Sequence, residues 1–127
     1  MLYRVILSLG SNYNEQQNMA FAVEQLKKLF LSIRFSESYY TEPVGSSYSI
    51  GNYLNQVAIA YTDCSADELK PLLKEIEKAA GRSPQLKAEG KIPLDVDLVK
   101  WSDWVIKPAD LQQDYVLRGL SDLQEEP

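Results

Sequence analysis

The chain has 127 residues, 45% hydrophobic and 24% charged, enough for one domain with a core of its own. Its 18 acidic and 13 basic residues give a formal net charge of -5, which argues against non-specific nucleic-acid binding but not against a nucleotide screened by metal ions and local cations. There is no histidine, hence no Ser-His triad and no usual zinc ligand set, and the one cysteine, Cys64, permits no intrachain disulfide and fits a reducing, cytoplasmic compartment.

Residues 3–9 alternate and are rich in β-formers, which predicts a first strand. Arg4 interrupts this apolar start, which is too short to span a membrane and lacks the pattern of a signal peptide. Gly10-Ser11-Asn12 predicts a tight turn. Asn14 follows as an N-cap, with Glu15 in the first turn, where the helix dipole favours negative charge. Met19, Ala22, Val23, Leu26, Leu29 and Phe30 recur at helical spacing and predict one long amphipathic helix. Ile33, Phe35 and Tyr39 continue as a second strand. Residues 41–52 form a long loop rich in Gly, Ser, Tyr and Pro, and long loops in small domains are commonly functional. The stretch around Tyr48 reads equally as a lid or as an interface patch.

Residues 53–61 predict a third strand, with Leu54, Val57, Ile59 and Tyr61 among its apolar members. Ser65-Ala66-Asp67-Glu68 opens a second helix that runs to about Ala80 on the stripe Leu69, Leu72, Leu73, Ile76, with Gly81 as a natural C′ residue. Residues 82–93 carry Arg82, Lys87, Gly90 and Lys91 with little periodicity and read as a mobile basic loop. A fourth strand covers residues 94–101, with Trp104-Val105-Ile106 as a short extension. Residues 108–123 predict a last helix, weakened by Gly119, and Glu125-Glu126-Pro127 reads as a frayed acidic tail. The order predicts an α+β, ferredoxin-like βαββαβ sandwich. It would be a four-stranded antiparallel sheet with two helices on one face plus a C-terminal helix, in a single domain over residues 1–127.

The segment Leu94-Asp95-Val96-Asp97-Leu98 carries the strongest chemical signal. Alternate side chains of a strand point to opposite faces, so Asp95 and Asp97 share one face and the three apolar residues the other. Their Cα atoms then lie ~7 Å apart, close enough for two carboxylates to converge on hard cations. Mg²⁺ keeps one or two protein carboxylates and takes its other ligands from water and phosphate. The alternative is an edge strand with its acidic face in water. Asn55 sits on a strand, where Asn is disfavoured. A structural hydrogen bond accounts for it, and so does recognition of a heterocycle edge, since Asn offers donor and acceptor in one plane.

Several segments together resemble one family. Leu7-Ser8-Leu9-Gly10-Ser11-Asn12 is similar to its strand-one GSN turn, and Tyr39-Tyr40-Thr41-Glu42-Pro43-Val44-Gly45 to its pterin-loop segment. Tyr53-Leu54-Asn55 is similar to its (F/Y)LN, Glu77 with Gly81-Arg82 to its E…GR, and the acidic strand to its LDLDI. In this order, over roughly the first hundred residues, they resemble the 6-hydroxymethyl-7,8-dihydropterin pyrophosphokinase family. The resemblance implies transfer of pyrophosphate from ATP to a pterin hydroxymethyl group in folate biosynthesis, with release of AMP.

It also implies roles. Asp95 and Asp97 would hold two Mg²⁺ ions on the ATP phosphates. Thr41, Val44 and Asn55 would meet the pterin's amide edge, and Tyr53 and Tyr115 its two faces. Arg82 and Lys91 would offset charge on the leaving AMP. Glu77, Arg82, Lys87 and Lys107 would serve the nucleotide. The partners would be pterin and ATP, with no nucleic acid and no membrane, and the chain a monomer or weak homodimer.

The departures from the family pattern fall on the ATP side. Ile92 stands at a signature arginine, Lys107 at a histidine and Gln113 at a second arginine, while Tyr115 replaces a stacking phenylalanine. Typical members also run longer by about a strand and a helix. A degenerate paralogue that binds a pterin or nucleotide with little transfer is therefore the alternative, and an interaction module using a sheet edge a third.

Overall fold

The computed structural model describes residues 1–42 and 51–127. The expectations for Val44 and Tyr48 fall on residues 43–50 and lie outside the described residues.

Strand β1 (Tyr3–Ser11) is buried almost end to end, as expected of a strand covered on both faces. It pairs antiparallel with β4 (Tyr53–Thr62) on one side and β5 (Asp95–Trp101) on the other. Strands β2 (Ser32–Phe35) and β3 (Tyr39–Thr41) both pair antiparallel with β4, and β6 (Trp104–Val105) pairs with β5. The path is β2-β4-β1-β5-β6, with β3 also on β4.

Among the described residues the sheet thus has six strands where four were expected. The predicted second strand is broken in two at Ser36. Its N–H donates to the Val57 carbonyl at 2.8 Å, but its Oγ accepts from the Val57 N–H at 3.0 Å. A side chain replaces a rung of the ladder, as serine readily does. At the other edge, Ser102 (φ 51) turns the chain back into β6. Gly10 and Ser11, expected in a turn, continue β1 opposite Asn55 and Leu54.

Helices α1 (Glu15–Leu29) and α2 (Ala66–Ala79) pack on one face, as their single apolar stripes require. Met19, Ala22, Leu26, Leu69 and Leu73 meet Val5, Leu7, Leu9, Ala58 and Val96 there. Helix α2 opens with a capping box. Ser65 Oγ accepts from Glu68 N–H at 3.1 Å, and Glu68 Oε1 from Ser65 N–H at 2.9 Å. Asn14 does stand at the N-cap of α1, but at φ 47 and with no side-chain cap. Two short helices, α3 (Pro84–Ala88) and α4 (Pro108–Leu111), follow. The first lies where a loop was expected. The second is separated at Gln112-Gln113 from α5 (Asp114–Asp122), so the predicted last helix is two. Helix α5 takes the opposite face, with Val116 and Leu120 against Ile6, Val57, Ile59 and Val99. Helices therefore cover both faces of the sheet.

Gly119 lets α5 approach. A Cβ there would stand 2.6 Å from Val57 Cγ2 and 2.8 Å from Val57 Cβ. Gly119→Ala is expected to destabilise the fold by ~1–3 kcal/mol through overpacking, outweighing a helix-propensity gain of at most ~1 kcal/mol. Urea unfolding checks this. An unchanged or higher midpoint would contradict the close approach.

Candidate active site

The register of three strands assembles the site. Gly10 of β1 lies between Asp95 of β5 and Asn55 of β4, and Ser8 between Asp97 and Val57. Cross-strand partners project to the same face. Asp95 and Asn55 therefore stand on either side of a residue with no side chain. Leu94, Val96 and Leu98 go to the core on the other face, as the alternation predicted.

Above Gly10 lies a cleft of about 550 Å³, lined among others by Thr41, Tyr53, Asn55, Asp95, Asp97 and Tyr115. Gly10 is its floor. A Cβ there would come within 3.2 Å of Asn55 Oδ1 and 3.7 Å of Tyr53 Cδ1. Asn55 is held by its amide nitrogen, which donates to Thr41 Oγ1 at 2.6 Å and to the carbonyls of Tyr39 and Tyr53, both at 3.2 Å. Its Oδ1 is left toward Gly10, an acceptor for a ligand N–H. The phenol of Tyr115 shares a 2.7 Å hydrogen bond with Ser8 Oγ. Burial lifts the Tyr115 hydroxyl above its ordinary pKa, against that bond. Burial and the charge of Asp95 likewise lift Tyr53. Both rings stay neutral, as stacking platforms should.

The carboxylates are held by two cations. Gly81 (φ +101) turns the chain off the end of α2, and Arg82 follows at once. Arg82 NH1 donates to Asp95 Oδ1 at 2.9 Å and lies 3.2 Å from Glu77 Oε2. Glu77 is buried and accepts the Val96 N–H at 2.8 Å, so it anchors Arg82 to β5. Burial lifts the Glu77 carboxyl, against the pull of Val96 N–H and Arg82.

Lys107 Nζ donates to Asp97 Oδ1 at 2.7 Å. A β-bulge places it there. Ile6 pairs with Lys100 and Leu7 with Leu98, which leaves Val99 as the extra residue. The Val99 carbonyl accepts from the N–H groups of Ile106 (2.9 Å) and Lys107 (3.1 Å).

The two acids differ in consequence. Desolvation pushes Asp97 up, the charge of Asp95 adds to it, and the carboxyl reaches about 7 despite Lys107. Desolvation also pushes Asp95 up, but hydrogen bonds from Asp97 and Arg82 outweigh it, leaving Asp95 below the usual range. A partly buried, mutually repelling pair of hard oxygen donors fits a divalent cation. No group of three His, Cys, Asp or Glu side chains that could hold a metal ion occurs among the described residues, so phosphate and water would complete the shell.

The raised Asp97 predicts a pH dependence. The metal-free native state binds this proton more tightly than the unfolded chain, where the group titrates near 3.8. Its stabilisation is therefore full below about pH 4 and is lost as pH rises through about 7. Asp95 has the opposite sign but acts below its ordinary value, outside this window. With a chelator present, the unfolding midpoint is expected to fall from about pH 5 to about pH 8. A flat profile there would contradict it.

Most of the predicted site residues come together. Thr41, Tyr53, Asn55, Arg82, Lys87, Asp95, Asp97 and Tyr115 line the one cleft. Glu77 and Lys107, with Lys70 and Lys74, line a neighbouring cleft of about 370 Å³ that shares Arg82 and both aspartates. Lys91 joins neither lining: its Nζ pairs with Glu89 at 3.0 Å and lies 5.4 Å from the Tyr13 ring centre. The sequence reading missed Ser8, Gly10 and Asp110 as lining residues, and Lys70 and Lys74 beside them. A buried serine within an apolar strand was the available signal for Ser8. Lys70 and Lys74, four apart on α2, look like any solvated helix face.

Residues 6–125 match the family of 7,8-dihydro-6-hydroxymethylpterin-pyrophosphokinase. A 2-amino-4-hydroxy-6-hydroxymethyldihydropteridine pyrophosphokinase of Aquifex aeolicus (strain VF5) is 33% identical over 104 residues, which is 81% of this chain and 64% of that protein. A folate synthesis bifunctional protein of Arabidopsis thaliana is 33% identical over 129 positions, which is 94% of this chain and 26% of that protein. The chain thus spans less than two thirds of the length of either relative. With the match running from Ile6 to Glu125, the chain belongs to the 7,8-dihydro-6-hydroxymethylpterin-pyrophosphokinase family.

Proposed function

We propose that the chain transfers pyrophosphate from Mg-ATP to the hydroxymethyl group of 6-hydroxymethyl-7,8-dihydropterin, releasing AMP, as a step of folate biosynthesis. The observation that carries this is the juxtaposition of the aromatic and amide pocket of Tyr53, Asn55 and Tyr115 with the carboxylate pair, across Gly10.

In this reading the pterin lies over Gly10. Asn55 Oδ1 accepts an N–H of its amide edge, supported by Thr41. Tyr53 and Tyr115 stack on its faces, each contact worth ~0.5–1.5 kcal/mol beyond burial. The nucleotide lies in the neighbouring cleft, with Lys70, Lys74 and Lys107 near its phosphates. Arg82, kept in place by Glu77, and Lys87 reach the transferred group from the pterin side. They supply the charge that the resemblance assigns to Lys91, which is turned to Glu89. Asp95 and Asp97 would hold the Mg²⁺, two ions by the family resemblance, which supplies charge neutralisation on the phosphates and acidifies the attacking hydroxyl. Alignment and charge then do the catalytic work, which suits a chain without histidine.

The same reading takes β2 and β3 as one broken strand. The path through β4, β1 and β5 is then a ferredoxin-like split βαβ, to which β6, α4 and α5 are additions. It describes a monomer or weak homodimer in a reducing cytoplasm. No described helix is long and apolar enough to cross a membrane. Incubation with ATP, Mg²⁺ and the pterin should yield AMP and pterin pyrophosphate in equal amounts by chromatography. Pterin binding without AMP would leave the pocket and remove the transfer.

A further inference from the structure

We infer that Ser8 is a positioning residue of the pterin pocket: its hydroxyl pins the Tyr115 ring as a fixed wall of the Gly10 cleft. The inference rests on the pyrophosphokinase reading and concerns only how one wall of that pocket is held. The contact that carries it joins Ser8 Oγ and the Tyr115 hydroxyl at 2.7 Å. That hydroxyl is the group by which Tyr115 exceeds the phenylalanine of the family pattern. Ser8 is buried in β1 between Leu7 and Leu9, both fully buried. A hydroxyl in such a place opposes folding unless it is hydrogen-bonded. The partner it takes is a side chain that lines the cleft.

Tyr115 needs a hold from outside its own helix. It is the second residue of α5, a helix of nine residues whose N-cap, Gln113, makes no side-chain cap. The first turn of so short a helix frays readily, because its N–H groups have no intrahelical partners. One turn further on, α5 meets the sheet at Gly119, where a Cβ would stand 2.6 Å from Val57 Cγ2. Tyr115 and Gly119 are four apart and share a helix face. Ser8 is the cross-strand partner of Val57, so both contacts fall on neighbouring residues of one face of the sheet. Gly119 sets the height of α5, and Ser8 takes the tip of the Tyr115 ring. The ring is thus held at its backbone and at its hydroxyl. A wall already fixed where the ligand needs it loses less freedom on binding, which raises affinity.

The test is a double-mutant cycle read on the pterin. Calorimetry gives the Kd of 6-hydroxymethyl-7,8-dihydropterin in the presence of Mg²⁺ and saturating α,β-methylene-ATP, and the Kd of that nucleotide by itself. Both are measured for the wild type, Ser8→Ala, Tyr115→Phe and the double variant. Each single change should weaken the pterin about three- to tenfold, as loss of one neutral hydrogen bond does. The double variant should be no weaker than either single one, because the same bond is lost in all three. Nucleotide affinity should not move. A pterin Kd unchanged by either single change, or losses that add in the double variant, would overturn the inference and leave the pyrophosphokinase reading standing. An equal loss of nucleotide affinity would also overturn it, since a bond that only holds the fold together would weaken both ligands. A wild type that binds no pterin would overturn the reading and the inference with it. Tyr115→Phe, which removes one oxygen and keeps the ring, decides by itself should Ser8→Ala not fold.

Discussion

Asp95→Asn and Asp97→Asn should each cut the proposed turnover severely, yet move the stability of the metal-free protein in opposite directions. Both residues sit within β5, whose pairing with β1 is made by backbone groups that the substitutions leave alone. The fold should survive in both. In the proposed role each carboxylate is an oxygen ligand to the metal, and its loss is worth several kcal/mol of barrier, so a fall on the order of 10³-fold in rate is expected for either. Stability separates them. Asp97 is held near 7 by desolvation and by the charge of Asp95, so at neutral pH it opposes folding of the metal-free chain. Its replacement removes that repulsion and strands only Lys107, which is half-exposed and can turn to water. Asp95 sits below its ordinary range because Asp97 and Arg82 hydrogen-bond to it, so it favours folding. Its replacement loses the Arg82 pair, although Glu77 still holds the guanidinium. Chelator-treated Asp97→Asn should therefore unfold at higher urea than the wild type and Asp95→Asn at lower. AMP release and urea midpoints measured together check this. Full Mg-nucleotide binding in both variants would place the metal site elsewhere.

The same contrast shows what a sequence can and cannot carry. The alternation in β5 and the 3.6-residue stripes of α1 and α2 are local signals, and each element formed where its period put it. The carboxylate pair was legible for the same reason. Gly10 was not. As Gly10-Ser11-Asn12 it looks like a turn, and it becomes the cleft floor only through its register with Asn55 and Asp95, residues 45 and 85 positions away. Gly119 read as a helix weakness, whereas its reason is the Val57 side chain on another element. Lys107 reaches Asp97 because of a bulge that no local pattern announces. Helix α3 did have a local signal: Ser83 Oγ accepts from Leu86 N–H at 3.2 Å with Pro84 in the first turn. Five residues are too few to show a helical period, and that signal was masked by the loop-like composition around it.

Restoring the two missing arginines should tighten the nucleotide without touching the pterin. Ile92 and Gln113 line the Gly10 cleft rather than the neighbouring one, on the side from which Arg82 and Lys87 are proposed to reach the transferred phosphates. Ile92 is a firm root for a new side chain, since its N–H donates to Asn12 Oδ1 at 2.6 Å and its carbonyl accepts from Asn12 N–H at 3.1 Å. Gln113 stands at the N-cap of α5 and makes no side-chain cap there, so its replacement leaves the helix start as it is. Each charge-assisted hydrogen bond to phosphate contributes ~1.5–3 kcal/mol, or about one to two decades of affinity at ~1.4 kcal/mol per decade. Glu42 and Asp110 line the same cleft and will compete for the new guanidinium groups, which favours the lower end. Ile92→Arg with Gln113→Arg should thus lower the Kd for α,β-methylene-ATP by about a hundredfold. Pterin affinity should stay the same, because Tyr53, Asn55 and the Ser8–Tyr115 hydrogen bond are unaltered. Calorimetry with each ligand on the wild type and the double variant decides it. Tight wild-type nucleotide binding that the arginines leave unchanged would mean that Arg82, Lys87 and Lys107 already complete the clamp. The departures from the family pattern would then mark a different set of cations doing the same work.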